Sequence, residues 1–162
     1  AQLRKGAANG EEKASPNINP ACIIDNGDII FSWSGSLIVD VWCGGKAALN
    51  QHLFKVTSED HPKWFYYLYT KHHLAEFQRI ASYKAVTMGH IKRSHLKEAL
   101  CAVPKALLLN EANNKFQFIL DKKIELKLES LNLSQIRDTL LPKLLSGELD
   151  VSELADSLEA EA

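Results

Sequence analysis

The feature that most constrains this fold is a run of apolar residues at helical spacing in the second half of the chain. Between about residues 107 and 134, apolar side chains recur every three or four positions, and charged side chains fill the places between them. This pattern predicts one amphipathic helix of about 40 Å. A helix of this kind needs a partner for its apolar stripe, which can be its own domain, a second copy or another subunit. We expect the seam to contain Phe116, Leu120, Ile124, Leu128 and Leu131, with simple packing on its own domain as the alternative.

The residues before this helix are rich in strand and turn signals. Residues 29–33, 37–42 and 49–56 are predicted strands, because β-branched and aromatic residues are frequent in them. Asn26-Gly27 is a turn signal of the hairpin kind, and glycines mark further turns at residues 34–36 and 44–46. A helix loaded with aromatic residues is expected from near Pro62 to about Ala81, and we interpret it as a core helix rather than a base-stacking surface.

The remaining segments complete an α+β prediction. A loop is expected at residues 82–89, a short helix near 94–100 and a strand-like segment at 101–104. The predicted class is a β-rich domain with packed helices, followed by a long C-terminal coiled-coil-like helix. The expected boundaries are residues 1–106 for the domain, 107–141 for the helix and 142–162 for an acidic tail, with Pro142 as a helix breaker and Gly147 as a stop signal.

Composition indicates a globular protein. Hydrophobic residues make up 46% and charged residues 24% of the chain, and no apolar run approaches the roughly 20 residues of a membrane span. The three cysteines are widely spaced, which is typical of reduced thiols in a cytoplasmic protein. The net charge is −1, but residues 1–142 carry 18 basic and 14 acidic side chains. Five basic residues against one acidic residue in the segment 84–105 form a modest basic patch of the kind that phosphate contacts need.

Motifs for catalysis and cofactor binding are not found in the sequence. It contains no phosphate-binding loop, no dinucleotide-binding loop, no adenine methyltransferase tetrapeptide and no His-Glu-x-x-His zinc motif. We therefore expect no cofactor and no metal. An enzyme that uses Cys101 with a histidine such as His95 is a minor alternative, since proximity in sequence is poor evidence for a catalytic pair.

Five segments, in the correct order, resemble the specificity subunits of type I restriction–modification enzymes. They are DNGDIIFSWSGS at residues 25–36, ALNQHLFKV at 48–56, TMGHIKRSHL at 87–96, DKKIELKL at 121–128 and RDTLLPKLLSGEL at 137–149. The chain departs from the family between domain and helix, where only Val103-Pro104 fits a proline-rich run. With one domain and one helix, and a start at Ala1 that reads like mid-domain sequence, it would be half a subunit whose N-terminal part is incomplete.

The resemblance implies a non-catalytic role. Residues 1–106 would be a target recognition domain that reads one half of a bipartite site in double-stranded DNA. The helix would be a spacer that pairs with another such helix, which makes self-association an expectation. Methyltransferase subunits would dock on the assembly, and restriction subunits would join through the complex. The competing hypothesis from another class is a helical adaptor or assembly protein without DNA specificity.

Two regions are the candidate DNA-binding surface. In the first, small residues let the backbone approach DNA and amides could read adenine; it comprises Ser34, Gly35, Ser36, Lys46, Asn50 and Gln51. In the second, cations suit phosphates; it comprises Lys84, Thr87, His90, Lys92 and Arg93. The alternatives are that the first group only forms turns and satisfies backbone groups, and that the second is a solvated loop. Arg4 and Lys5 are a third candidate.

Overall fold

The computed structural model describes residue 3 and residues 14–15, 17–83 and 89–149. A 3-10 turn at Pro20–Cys22 leads into the strands, which are β1 (Ile23–Ile24), β2 (Ile29–Ser32), β3 (Val39–Val41), β4 (Ala47–Ala48) and β5 (Leu53–Val56). Three helices follow, which are α1 (Lys63–Ser82), α2 (Arg93–Glu98) and α3 (Ala106–Leu145). The predicted α+β class with a long C-terminal helix is confirmed.

The described strands form two antiparallel sheets. One has the order β3-β2-β5, and the other pairs β1 with β4. The turn at residues 34–36 joins β2 to β3 as predicted. The hairpin expected at Asn26-Gly27 is wrong, because the flanking strands β1 and β2 lie in different sheets. Gly27 has a φ of 87°, so the turn itself is present, but it carries the chain from one sheet to the other.

The core lies on both faces of β2, whose four residues are all buried. Ile29, Ile30, Leu37 and Val41 are the most completely buried side chains of the described residues. On one side, Phe31 meets Phe77 of α1 with ring centroids 5.9 Å apart. β2 is the central strand of its sheet and is buried on both faces. It therefore positions the turns that leave its two ends.

Helix α1 is a core helix, as its aromatic content suggested. It begins after Pro62 and ends at Ser82, close to the predicted range. Its buried side chains are Trp64, Phe65, Tyr67, Phe77 and Ala81. Proline suits this position before the first turn, where its missing N–H costs no helical hydrogen bond.

Helix α3 is longer than the predicted 107–134. It continues to Leu145 and includes Pro142, which therefore does not break it. Gly147, with a φ of 72°, follows the helix end, in agreement with its predicted role. The chain divides into two compact units, Ala1–Ile124 and Glu125–Ala162, so the division falls inside α3. The proposed domain bounds of 1–106, 107–141 and 142–162 stay a prediction.

Three other local predictions need correction. Residues 49–52 are not strand, because the chain turns at Gln51 and His52 before β5 begins at Leu53. The short helix spans Arg93–Glu98 rather than 94–100. Residues 101–104 form no strand in the structure. Among the described residues, no helix is both long enough and apolar enough to cross a bilayer.

Candidate nucleic-acid interface

Two turns meet at the end of β2 that carries Trp33. One is the turn at residues 34–36 after β2, and the other is the turn at residues 50–52 before β5. The amide of Trp33 donates to the carbonyl of His52 at 3.2 Å, and the Trp33 indole N–H donates to the carbonyl of Gln51 at 3.0 Å. The structure therefore brings together two groups that the sequence separates by 18 positions.

Side-chain hydrogen bonds join these two turns directly. Ser34 Oγ lies 2.8 Å from Nδ1 of His52, and Nε2 of Gln51 lies 3.3 Å from Nε2 of the same imidazole. Ser34 and His52 are half-buried, whereas Gln51 is exposed. A row of three polar side chains thus runs from the half-buried turn to a surface amide.

The described end of the second candidate region lies against the first. The amide of Gly35 donates to the carbonyl of Gly89 at 2.8 Å, and the amide of Ile91 donates to the carbonyl of Trp33 at 3.2 Å. Ile91 is buried, and the neighbouring His90 is exposed. The turn at residues 34–36 and the described residues 89–91 are therefore parts of one surface, held together by backbone hydrogen bonds.

The Trp33 ring lies at the centre of this surface. Its centroid is 6.0 Å from that of His52, 6.1 Å from that of Phe54 and 6.2 Å from that of His90. The contact with Phe54 is stacked and the contact with His90 is edge-on, both of them favourable aromatic geometries. Since Trp33 touches both histidines, its ring holds the two turns and the His90 segment in a fixed arrangement.

Gly89 permits the close approach of the His90 segment to α1. A Cβ atom at this position would lie 2.7 Å from the carbonyl oxygen of Ala81. No side chain fits at that distance without a shift of backbone. The glycine thereby lets residues 89–91 run past the end of α1 and reach the turn at residues 34–36.

Other predicted contacts are placed differently. Lys46 is exposed, but it follows Gly45, whose amide bonds Asn26 near the opposite end of β2. The structure therefore does not bring Lys46 to the Trp33 surface. Lys84 and Thr87 lie outside the described residues, as do Arg4 and Lys5.

The alternatives stated for the turn and loop residues are partly realised. Asn50 Oδ1 accepts a hydrogen bond from the amide of His52 at 3.0 Å, so this amide satisfies a backbone group. The Gln51 side chain does not satisfy a backbone group, since it bonds the His52 imidazole instead. Lys92 and Arg93 are both exposed at the start of α2, where they are available to phosphates and equally to solvent.

Sequence reasoning missed Trp33 and His52 as members of this surface. Trp33 and His52 were assigned only to the predicted strands 29–33 and 49–56. No local signal identifies them, because the bonds and ring contacts that define their roles join residues far apart in sequence.

The predicted seam residues of α3 divide between two environments. Leu120 is buried, and Phe116 stacks on Trp64 with ring centroids 4.8 Å apart, so both pack on their own domain as the alternative states. Ile124 is half-buried near Gly27. In the second unit Leu128 and Leu131 are half-buried. The exposed apolar residues there include Leu126, Leu133, Ile136, Leu140, Leu141, Leu144 and Leu145.

A lysine on α3 connects this helix to the rest of its unit. Lys123 Nζ bonds the Tyr67 hydroxyl and lies 3.7 Å from a carboxylate oxygen of Asp40. Burial lowers the pKa of Lys123, but the Tyr67 hydroxyl and the Asp40 carboxylate together outweigh it, and the net pKa is raised. The cation therefore stabilises the contact between α3, α1 and β3.

Cys101 does not have the surroundings of a nucleophile. Burial raises the pKa of its thiol, which disfavours the thiolate that would react. Nδ1 of His95, the suggested partner, accepts instead from the amide of Lys92 at 3.1 Å.

Comparison with known proteins gives a consistent result. The family model described as the type I restriction modification DNA specificity domain matches residues 8–134. A curated relative, the type I restriction enzyme MjaIX specificity subunit of Methanocaldococcus jannaschii, is 29% identical over 137 residues, which cover 78% of this chain and 30% of the relative. The chain thus spans about a third of that relative's length. No solved structure matches it. These matches favour the DNA specificity interpretation over the helical adaptor.

Proposed function

The chain belongs to the family of type I restriction modification DNA specificity domains, and from this premise we propose that it reads a DNA sequence for other subunits to modify or cut. In this proposal it recognises one half of a bipartite site in double-stranded DNA. It acts in the cytoplasm, has no catalytic activity of its own and needs no cofactor. The adenine chemistry comes from methyltransferase subunits that dock on it.

The observation that carries this proposal is the surface around Trp33. Two turns and the His90 segment, distant in sequence, converge there and present Ser36, Gln51 and His90 to solvent. Hydrogen-bonding side chains on a rigid base are what groove readout requires, because each base pair shows a fixed pattern of donors and acceptors. Small residues at positions 35 and 36 leave room for a groove edge.

Basic residues next to this surface supply the part of binding that is independent of sequence. Lys92 and Arg93 directly follow the segment that crosses Trp33. Contacts from such cations to phosphates would fix the register of the domain on the duplex. We also propose Lys84 and Thr87 as DNA contacts.

The long helix serves assembly in this proposal. Its exposed apolar side chains in the second unit offer a seam to another helix, either of a second copy or of the second half of a specificity subunit. Methyltransferase subunits would bind the assembled helices, and restriction subunits would join through that complex. Leu128 and Leu131 lie on the opposite face of α3 from Leu126 and Leu133, and we propose them as members of a second seam.

Affinity for duplex DNA as a function of salt tests the proposal against a helical adaptor. The chain is mixed with its cognate methyltransferase subunits, and binding to a labelled duplex is measured over a series of salt concentrations. The logarithm of the binding constant should fall linearly with the logarithm of salt concentration, because phosphate contacts release counterions. DNA binding that is absent at low salt, with the protein complex intact, would support the adaptor instead.

A further inference from the structure

The hydrogen-bond network assigns the proton of His52. The side-chain nitrogen of Gln51 can only donate, so at 3.3 Å it donates to Nε2 of the imidazole. The ring proton of a neutral His52 must then lie on Nδ1, from which it donates to Ser34 Oγ at 2.8 Å. The serine hydroxyl thus accepts the Nδ1 proton, and Nε2 remains the acceptor that faces Gln51.

This assignment fixes how the Gln51 amide is turned. One of its two N–H groups is used by His52, which leaves the second N–H and the carbonyl oxygen free at an exposed position. A donor beside an acceptor on one amide matches the N7 acceptor and N6 donor of adenine in the major groove. Guanine, which offers two acceptors there, would pair with only the N–H.

The backbone of this turn is also held. The Trp33 indole N–H bonds the carbonyl of Gln51, and Asn50 Oδ1 accepts from the amide of His52. The Trp33 ring packs against the His52 imidazole, with the two ring centroids 6.0 Å apart. With the main chain and the imidazole both held, the side-chain torsions of Gln51 are the freedom that remains, and the contact with His52 restricts them.

We propose that Ser34 and His52 are positioning residues that turn the Gln51 amide to select adenine at one base pair of the recognised half-site. The inference deepens the proposed function and rests on it. Gln51 makes the base contact, whereas Ser34 and His52 act through it. The ligand chemistry is therefore the major-groove edge of an adenine, read by one amide.

The test measures base preference as well as affinity. The chain, in complex with its methyltransferase subunits, is used to select duplexes from a random pool, and the enriched site is then competed against versions with single base-pair changes. The unaltered complex should prefer adenine over guanine at one position by about fivefold or more. Ser34→Ala and His52→Phe should reduce that preference to about twofold or less and leave preferences at the other positions unchanged.

One further variant separates positioning from general damage. Ser34→Thr keeps a hydroxyl at the bonding position and should retain the adenine preference. If Ser34→Ala proves unstable, His52→Phe still tests the inference, because it keeps a ring against Trp33. The matched control is His72→Ala, an exposed histidine of α1, which should change no base preference. Thermal melting of each variant checks that it is folded.

Two outcomes are distinguishable failures. If the unaltered complex selects a half-site but Ser34→Ala and His52→Phe keep the same base preferences, the inference is wrong and the proposed function stands. If the unaltered complex enriches no sequence, the proposed function fails, and the inference fails with it.

Discussion

Gly89 lies where any side chain would collide with the backbone of α1. A Cβ there would be 2.7 Å from the Ala81 carbonyl oxygen, so we expect Gly89→Ala to cost about 1–3 kcal/mol of unfolding free energy, as overpacking usually does. Urea denaturation measures this loss. Glu111→Ala, at an exposed position of α3, is the control and should stay within about 0.5 kcal/mol. An unchanged midpoint for Gly89→Ala would mean that residues 89–91 are not held against α1.

Lys92 and Arg93 are expected to contact phosphates rather than bases. Replacing either by alanine should weaken DNA binding to a similar degree for every sequence and reduce the slope of binding against salt by about one. Fluorescence anisotropy over a salt series measures both quantities. Lys115→Ala, an exposed lysine of α3, should leave the slope unchanged. A change in base preference would instead place the altered residue in the groove.

The members of the candidate site were predictable only where the signal was local. The turn at residues 34–36 was predicted because glycine at position 35 favours its φ of 66°. Trp33 and His52 were missed, since their roles arise from contacts 18 positions apart. Lys46 was grouped with Ser34 because both belong to glycine turns, yet the two turns lie at opposite ends of β2.

Lys123 connects α3 to α1 and β3, and its contribution depends on pH. Because its folded pKa is raised above the ordinary 10.5, the stabilisation is fully present below that value and is lost as pH rises through the folded pKa. We expect Lys123→Met to cost about 1 kcal/mol at neutral pH, a modest value since its side chain is 43% exposed.

Unfolding by urea at several pH values checks this expectation. The difference between the unaltered chain and Lys123→Met should be constant from neutral pH to about pH 10 and shrink above it. Lys115→Met is the matched control on the same helix. A difference that grows with pH would contradict the raised pKa.

The exposed apolar face of α3 in the second unit predicts self-association. Leu126, Leu133 and Leu140 are all exposed and recur every seven residues, which is the repeat of a helical seam. Leu133→Glu should therefore weaken association in analytical ultracentrifugation by placing a charge in the seam. Asn132→Glu adds the same charge at the adjacent exposed residue, off the apolar face, and should have little effect on association. An unaltered chain that stays monomeric at high concentration would contradict the seam.

The elements themselves show what a sequence can and cannot predict. Helices α1 and α3 were predicted because their periodicity is local and long. Strand β4 was missed, and the Asn26-Gly27 hairpin was wrong, because the pairing of β1 with β4 joins residues 23–24 to 47–48. Pro142 was expected to break α3, but it lies near the end of the helix and removes a single hydrogen bond there.

At the scale of the whole molecule, the chain combines a proposed recognition surface built on β2 with a long helix that has an exposed apolar face. The family and the α+β class were both predictable, because five sequence segments and the helical periodicity carry them. The DNA target was not, since base preference depends on how turns distant in sequence meet in space.

The most direct test of sequence recognition is selection and sequencing of a random duplex pool at low salt, with the chain bound to its cognate methyltransferase subunit. We predict enrichment of a short half-site, or of two inverted copies at a fixed spacing if α3 pairs with a second copy. A stable protein complex that enriches no sequence would contradict the claim that this chain reads DNA.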